Sequence, residues 1–279
     1  VGCDGIFSTT RRLLVGHEGN PNNELKYLGL VVILGIFELR AVKDLEQFKD
    51  SSIINNNNAT GAMVGEGWRL CKERVFQTSD GETRLYVMPF TENSSMFQLT
   101  FPVATEEEAR LLSSRGAEGL RAEALRRCGH WHQPVPEMIK ATTAERLSGY
   151  PVYDREPDAS LWQRGLTVLI GDAAHCMSPL KGQGANQALL DGVRLAQSLR
   201  GQLLATRFLD TRQDMTATLV GAAASTPTTT TTKLTTAERI ELGLQEAMQE
   251  MEARTTPKVL ASRATCGLLH GPDFLKTSY

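Results

Sequence analysis

One segment, Leu166 to Leu204, constrains the fold of this chain more than any other. It opens with the apolar run 166–170, whose length and composition are typical of a strand buried on both faces in a parallel sheet. Gly171-Asp172 ends this strand, and a helical pattern follows after a loop, over 185–204. Its apolar positions are 189, 193, 196, 199 and 203. Strand, loop and helix in this order indicate an α/β fold, in which ligands bind at the carboxyl ends of the strands.

The loop between this strand and this helix carries residue types that suit a cofactor. Asp172 can only accept hydrogen bonds when ionised, so it suits a hydroxylated ligand such as a ribose or ribitol. Gly182 and Gly184 allow a tight turn that directs backbone N–H groups, and the positive end of the helix, at an anion or electron-rich carbonyl. A lone Gly-X-Gly before a helix is common. The full combination is much rarer: a strand followed, at these spacings, by Gly-Asp, Pro179 and Gly-X-Gly-X-Asn. We therefore interpret the loop as a cofactor-binding loop.

Residues 171–191 resemble the second FAD motif of the flavin-dependent aromatic hydroxylases, single-component flavoprotein monooxygenases of the para-hydroxybenzoate and salicylate hydroxylase type. Residues 2–11 resemble the same family's Gly-Ala-Asp-Gly-X-X-Ser-X-X-Arg motif, with Cys3 where Ala is usual. Looser similarity covers 153–157 and 254–270, and the motifs occur in the family's order.

The resemblance implies FAD as the cofactor and NAD(P)H as the electron donor, for the O₂-dependent hydroxylation of a small aromatic or related substrate. It implies that Asp172 binds the flavin ribitol and that Pro179 lies against the isoalloxazine ring. Asp4 and Arg11 would belong to a motif tied to the cofactor's pyrophosphate and to NAD(P)H use. The implied cofactor-binding residues are Asp4, Gly5, Arg11, Asp172, Pro179, Gly182, Gly184, Ala185 and Asn186. No catalytic side chain is implied, because the flavin carries the chemistry.

One family feature is missing from the sequence. The family opens with a Gly-X-Gly-X-X-Gly fingerprint on its first βαβ unit, which holds the ADP half of FAD, and these 279 residues contain no such fingerprint. The sequence therefore predicts an incomplete FAD-binding Rossmann-like domain that lacks its N-terminal βαβ unit. Two functions stay open: an FAD-dependent monooxygenase in truncated form, and a non-catalytic remnant that does not retain FAD. The motifs do not separate hydroxylation from epoxidation or other flavin oxidations.

The resemblance, together with shifts in composition, implies four regions along the chain. A split FAD-binding domain takes 1–20 and 140–210, and a substrate-binding β-sheet domain with a helix is inserted at 25–135. A Thr-rich linker or insertion follows at 211–236, because that composition cannot build a core. The remaining residues, 237–279, are expected to form a helical tail.

The inserted domain is predicted as an antiparallel meander with strands over 70–78, 83–90 and 95–103. Residues 25–40 precede it as one or two buried strands. Thr105, with three glutamates after it, predicts a helix start, and the stretch to about residue 128 holds one helix or two. The last helix, over 236–254, is expected to stop at Pro257.

Charge and apolar patterning exclude several classes of function. The 30 Lys and Arg residues against 32 acidic ones give a formal charge of −2, so no electrostatic field attracts nucleic acid. The longest apolar run, 27–37, is shorter than the 18 or more residues of a membrane-spanning helix. We expect a small-molecule substrate as the partner, and the sequence does not indicate the number of subunits.

The cysteines and histidines indicate neither a disulfide framework nor a metal site. Five scattered cysteines without a CxxC pair fit a reducing compartment, so an intracellular, cytoplasmic location without a signal peptide is expected. Cys128-X-His130-X-His132 lacks a fourth metal ligand and is interpreted as a turn after a helix. His175 beside Cys176 could suggest thiol catalysis, but no Asp or Asn that orients the histidine can be assigned.

Overall fold

The computed structural model describes residues 1–16, 24–43, 74–219 and 234–271, with side chains described up to residue 204 in the third range. The chain forms two compact units. The first unit contains 1–26 and 153–263, and the second contains 27–152 and 264–279.

The elements of the described residues follow in chain order. The helices are α1 (Thr9–Val15), α2 (Arg40–Lys43), α3 (Glu106–Ser114), α4 (Gly116–Cys128), α5 (Val135–Ala141), α6 (Asp172–His175), α7 (Gly184–Leu219) and α8 (Thr236–Leu269). The strands are β1 (Leu25–Glu38), β2 (Phe76–Ser79), β3 (Arg84–Thr91), β4 (Ser94–Pro102), β5 (Leu147–Arg155), β6 (Gln163–Arg164) and β7 (Thr167–Val168). Short 3₁₀ turns cover Ala144–Arg146, Ala159–Leu161 and Pro179–Lys181.

The second unit is built on a five-stranded sheet in the order β2-β3-β4-β1-β5. Strands β2, β3 and β4 form an antiparallel meander, as predicted, with Leu85 opposite Leu99. Its first strand begins at Phe76, and residues 70–73 lie outside the described residues. Residues 25–38 form the single strand β1, which pairs antiparallel with β4. Buried side chains on both faces of β1 fit this position inside the sheet.

One face of this sheet carries the core of the second unit. Alternate residues of β1, β3 and β4 point to this face and form one apolar cluster with residues of α3, α4 and α5. The predicted helix start at Thr105 is a full capping box, in which Thr105 Oγ1 accepts the Glu108 N–H at 3.2 Å and Glu108 Oε2 accepts the Thr105 N–H. The helical stretch is two helices, because Gly116 adopts a positive φ of 68° at their junction.

In the first unit, the predicted strand 166–170 is much shorter than expected. Only Thr167 and Val168 form a strand, in an antiparallel hairpin with β6, and Leu166 is exposed. Leu169 then bridges in parallel to Gly2 at the N-terminus. The strand is short because few described residues pair with this segment: the two residues of β6 pair with Thr167 and Val168, and Gly2 pairs with Leu169.

Helix α7 packs on a different face from the predicted one. The predicted apolar face includes Leu189 and Val193, which are 71% and 52% exposed. The buried residues Gln187, Asp191 and Leu195 follow each other at intervals of four. The prediction was wrong for Leu189 and Val193, because two of the three inward positions are polar and make hydrogen bonds that a count of apolar residues cannot detect. Leu199, also on the predicted face, does pack against the apolar core of the first unit.

Helix α8 also departs from the prediction, since it continues through Pro257 to Leu269. Buried residues lie on both sides of the proline, among them Met251 and Val259, so packing outweighs the backbone hydrogen bond that proline removes. Up to residue 263 this helix belongs to the first unit rather than to a separate tail. In the segment predicted as a linker, residues 211–219 are helical and 220–233 lie outside the described residues.

Candidate cofactor-binding site

The Gly171 turn places a carboxylate at the end of the buried segment. Gly171 has a positive φ of 61°, and a Cβ atom at this position would lie 3.2 Å from the Cβ of Ala188 on α7. Its carbonyl accepts the N–H groups of Ala174 and His175, both at 2.9 Å, which starts helix α6. Both the backbone conformation and the close approach of α7 therefore require glycine here.

Asp172, the first residue of α6, is exposed. Its carboxylate has no hydrogen-bond partner among the residues that the structure describes, although most other carboxylates of the first unit are bonded. Its Oδ1 lies 3.8 Å from the position that a Cβ atom on Gly184 would take. A free acceptor thus lies beside the first residue of α7.

The loop from Cys176 to α7 presents hydrogen-bond donors next to this carboxylate. Pro179 opens a 3₁₀ turn, and Gly182 closes it in the left-handed conformation with φ 60° and ψ 28°. Helix α7 then begins at Gly184 without an acidic side chain in its first turn, and Ala185 and Asn186 are exposed. Because the first N–H groups of a helix lack intrahelical acceptors, this end of α7 is a site for an anion or a carbonyl oxygen.

A buried ionic network holds the Gly171 turn in place. Asp191 on α7 is 2% exposed, and its Oδ2 accepts both the Gly171 N–H and His175 Nε2 at 2.7 Å. Its Oδ1 accepts Arg254 Nη2 of α8, also at 2.7 Å. Arg254 further donates to Gln187 at 2.7 Å. The turn before Asp172 is thereby tied through α7 to α8.

Charge stabilises Asp191 in this network. Burial alone would raise the pKa of Asp191, but the hydrogen bonds from His175, Arg254 and the Gly171 N–H outweigh burial and hold this pKa below its usual value. Asp191 and Arg254 are not among the residues predicted from the sequence, although Asp191 ends the motif-like segment 171–191 and Arg254 begins the loosely similar segment 254–270. A further signal for Asp191 is its interval of four from Gln187, which places two polar side chains on one helix face.

The neighbouring Cys176 is not suited to nucleophilic chemistry. It is buried, and burial raises the pKa of its thiol to about 12, so the thiol stays protonated at neutral pH. The adjacent His175 donates its Nε2 proton to Asp191 and packs its ring edge-on against Trp162, with 5.9 Å between the centroids. The pair therefore has a structural role.

In the N-terminal motif, Asp4 caps helix α1. Asp4 Oδ1 accepts Ser8 Oγ at 2.5 Å, and Oδ2 accepts the N–H groups of Thr9 and Thr10 at 2.9 Å. The hydrogen bond from Ser8, followed by that from Thr10, holds the pKa of Asp4 far below its usual range. Nearby, Gly5 adopts a positive φ of 80°. The structure thus places Asp4 in contacts within its own motif.

Arg11 connects the two motifs. It is 1% exposed, and its Nη1 donates to the carbonyls of Ala173 at 3.2 Å and Ala174 at 3.3 Å. Burial lowers its pKa to about 10, so it stays charged at neutral pH. Together with the bridge from Gly2 to Leu169, this contact brings residues 2–11 against the start of the Gly171–Asn186 loop.

The Cys128, His130 and His132 set does not assemble in the second unit. Cys128 is buried at the end of α4 and its Sγ donates to the Ala124 carbonyl at 3.0 Å. His130 is exposed, and His132 contacts the Gln133 carbonyl and Thr78. Within the described ranges, no group of three His, Cys, Asp or Glu residues could hold a metal ion.

Sequence comparisons identify the family of the chain. A family model described as FAD binding domain matches residues 1–211 of the 279. The chain belongs to this family. The aurachin C monooxygenase/isomerase of Stigmatella aurantiaca is 43% identical over 79 residues, which cover 28% of this chain and 20% of that protein. The FAD-dependent urate hydroxylase of Klebsiella oxytoca is 28% identical over 200 residues, 72% of this chain and 42% of that protein.

Solved structures show the same fold. The crystal structure of Klebsiella pneumoniae HpxO complexed with FAD and uric acid matches with a TM-score of 0.63 and 22% identity, over 98% of this chain and 52% of that one. The chain thus spans about half the length of this neighbour and less of the curated relatives above. The predicted α/β fold, FAD-binding Rossmann-like with an antiparallel sheet, is confirmed, as is the aromatic hydroxylase resemblance.

The two motifs differ in how they fit FAD. The second motif fits: Asp172 offers a free acceptor for a hydroxyl, and the open turn at Gly182 leads to exposed donors at the start of α7. In the first motif the described contacts of Asp4 and Arg11 are to the chain itself. These two residues therefore support the loop in the form that the structure shows.

Proposed function

We propose that this chain provides the flavin- and substrate-binding parts of an FAD-dependent monooxygenase, which hydroxylates a small aromatic or related compound at the expense of NAD(P)H and O₂. The observation that carries the proposal is the free carboxylate of Asp172 beside the first turn of α7, in a family of FAD-binding domains. The names of the relatives, a urate hydroxylase and an aurachin C monooxygenase, favour a conjugated ring as substrate.

In this proposal the first unit holds FAD. Asp172 accepts a hydrogen bond from a ribityl hydroxyl, and the N–H groups at Gly184, Ala185 and Asn186 donate to the pyrimidine end of the ring. The positive end of α7 stabilises negative charge at that end by about 0.3–1 kcal/mol when exposed, and up to about 2 kcal/mol when partly buried. Pro179 would lie against the ring and restrains the loop that carries these donors, while Gly182 allows the left-handed turn of that loop.

The remaining predicted residues support the cofactor-binding loop through contacts within the chain. Arg11 fixes the carbonyls of Ala173 and Ala174, so it positions Asp172 without touching the cofactor. Asp4 and Gly5 shape the start of α1, which carries Arg11. FAD, when bound, supplies the reduction and oxygen-insertion chemistry, while the chain orients the reactants and excludes water. The sheet of the second unit supplies surface for the substrate.

Two measurements on the purified chain test this function. Because the sequence lacks the fingerprint that holds the ADP half of FAD, bound flavin is measured at equilibrium, from the change in the visible absorbance of added FAD, and NAD(P)H oxidation is followed in the same FAD-containing buffer with and without small aromatic compounds under air. We expect bound flavin, substrate-stimulated oxidation and a product heavier by one oxygen atom in mass spectrometry. A chain that binds no flavin and causes no oxidation supports the alternative, a non-catalytic remnant. None of the helices among the described residues combines the length and the apolar character of a membrane span.

A further inference from the structure

A hydrogen-bonded pair of serines joins the Gly171–Asn186 loop to helix α8. Ser178 lies on the loop and is 1% exposed, and Ser262 lies on α8 and is fully buried. Ser262 Oγ donates to the Ser178 carbonyl at 3.0 Å, and the two hydroxyl oxygens lie 2.7 Å apart. Among the described residues, the hydrogen bonds that join 177–182 to another helix or strand are all made by these two serines. Helix α8 therefore holds this part of the loop at Ser178.

The two hydroxyl groups act differently on the loop. Each serine has a single hydroxyl proton. The proton of Ser262 is directed at the Ser178 carbonyl, so the Ser178 hydroxyl is the donor of the 2.7 Å contact, with the Ser262 carbonyl at 3.2 Å as a second acceptor. Of the three contacts, only the one from Ser262 Oγ acts on the backbone of the loop. This contact depends on the side chain of Ser262 and not on that of Ser178.

The carbonyl that Ser262 binds belongs to the peptide bond between Ser178 and Pro179. Proline has no N–H group, so this carbonyl is the only hydrogen-bonding group of that peptide bond. Because the peptide bond is planar and the proline ring fixes φ, the direction of the carbonyl sets the orientation of the proline ring. The Pro179 carbonyl in turn accepts the Gly182 N–H at 3.0 Å and closes the 3₁₀ turn. The contact with Ser262 therefore orients both the ring of Pro179 and the turn that follows it.

Helix α8 also holds the beginning of the loop, through a separate contact. Arg254 binds Asp191, which accepts the Gly171 N–H. Arg254 precedes Ser262 by eight residues, which is about 12 Å along a helix. Because the hydrogen bonds between Ser262 and Ser178 involve neither Arg254 nor Asp191, loss of the Ser262 hydroxyl should leave the Gly171 turn in place. Its effect should be confined to the part of the loop that contains Pro179.

We propose that Ser262 is a positioning residue for the flavin ring. Its hydroxyl orients Pro179, which is half-buried and presents part of its ring at the surface. Because the Ser262 side chain is fully buried, it acts through the peptide bond between Ser178 and Pro179. A proline that is already oriented lowers the ordering cost when a planar ring binds against it. This assignment rests on the proposed function, in which Pro179 lies against the isoalloxazine ring, but the orientation of Pro179 does not require FAD.

The first test is an equilibrium titration with FAD, followed by flavin absorbance, for two matched variants. Ser262→Ala and Ser178→Ala both lose the contact between the two hydroxyl groups, but only Ser262→Ala loses the bond to the Ser178 carbonyl. We expect Ser262→Ala to bind FAD about threefold to tenfold more weakly than the wild type, the effect of one hydrogen bond. Ser178→Ala should stay within about twofold of the wild type. Equal weakening by the two variants, or no weakening by Ser262→Ala, would overturn the proposal.

Two further variants separate this role from a general loss of stability. Thr255→Val removes a buried hydroxyl of α8 whose hydrogen bond is to Met251 of the same helix, and it should leave FAD binding unchanged. Ser262→Cys keeps the size of the side chain and replaces the hydroxyl by a weak donor, so it covers the case in which Ser262→Ala does not fold. We expect Ser262→Cys to melt close to the wild type and to bind FAD several-fold more weakly. Weakening by Thr255→Val as large as that by the Ser262 variants would contradict the proposal, as would unchanged FAD binding in Ser262→Cys.

A second test uses no flavin and measures amide hydrogen exchange by mass spectrometry in the segment 176–186. We expect exchange in this segment to be several-fold faster in Ser262→Ala than in Ser178→Ala, because only the first variant frees the Pro179 turn. Equal exchange in the two variants would overturn the orientation of Pro179 by Ser262, whether or not the chain binds flavin. Faster exchange in Ser262→Ala, in a chain that binds no flavin, would refute the monooxygenase function alone.

Discussion

Replacement of Asp191 by asparagine should destabilise the first unit strongly. The change keeps the size of the side chain and removes the charge that faces Arg254 at 2.7 Å, together with the acceptor shared by His175 and the Gly171 N–H. Removal of one partner of a buried ion pair costs about 3–5 kcal/mol. Arg254 keeps hydrogen bonds to Glu250 and Gln187, so we expect the lower end, about 3 kcal/mol.

The assay is urea unfolding followed by circular dichroism, with a thermal melt as a second readout. At roughly 2–4 °C per kcal/mol for chains of 150–250 residues, Asp191→Asn should lower the melting temperature by about 6–12 °C. The control Glu250→Gln changes a side chain that is 37% exposed and should cost about 1 kcal/mol or less. A double-mutant cycle with Arg254→Met should give a coupling energy of at least about 1.5 kcal/mol.

Acid should affect the wild type and this variant differently. The folded-state pKa of Asp191 is depressed, so its contribution to stability is present above the unfolded value near 3.9 and is lost as the pH falls below it. Asp191→Asn lacks that group and should lose less stability between pH 5 and pH 3. If the variant unfolds within about 1 kcal/mol of the wild type, or the coupling is below about 0.5 kcal/mol, the network does not hold the Gly171 turn.

Two further outcomes follow from the same region. Gly171→Ala should cost about 1–3 kcal/mol in urea unfolding, because a Cβ is strained at φ 61° and approaches Ala188, and a cost near zero would mean that the turn relaxes freely. Burial raises the pKa of the Cys176 thiol to about 12. The protonated thiol therefore contributes its full stability below about pH 9, and this contribution is lost as the pH rises towards 12. The free energy of unfolding should fall by up to about 1.4 kcal/mol per pH unit in this range. Cys176→Ala should flatten the pH profile of stability in this range, whereas Cys3→Ala, at an exposed thiol, should not; equal profiles for the two variants would contradict this assignment.

The local shape of the site was predictable from sequence, because it depends on backbone demands that a few residues reveal. Glycine at 182 indicated a tight turn, and it adopts a positive φ of 60°. The start of α7 followed from the glycine at 184 and the apolar residues after it. Such features need only neighbours in sequence.

The packing of the site was not predictable, because it depends on contacts between distant residues. Asp191 faces inward to meet Arg254, which lies 63 residues later, and this contact sets the buried face of α7 against its apolar pattern. Arg11 reaches carbonyls more than 160 residues away. The helix passes through Pro257 because the apolar residues on both sides of it are packed in the fold.

A flavin titration of the chain tests the central claim most directly. FAD fluorescence is followed as protein is added, for the wild type, for Asp172→Ala and for the control Glu241→Ala at an exposed position of α8. We expect saturable binding by the wild type and the control. Asp172→Ala should bind FAD about 10- to 150-fold more weakly, since a hydrogen bond to a charged group contributes about 1.5–3 kcal/mol. Equal FAD affinity in Asp172→Ala and the wild type, or no binding by either, would contradict the account.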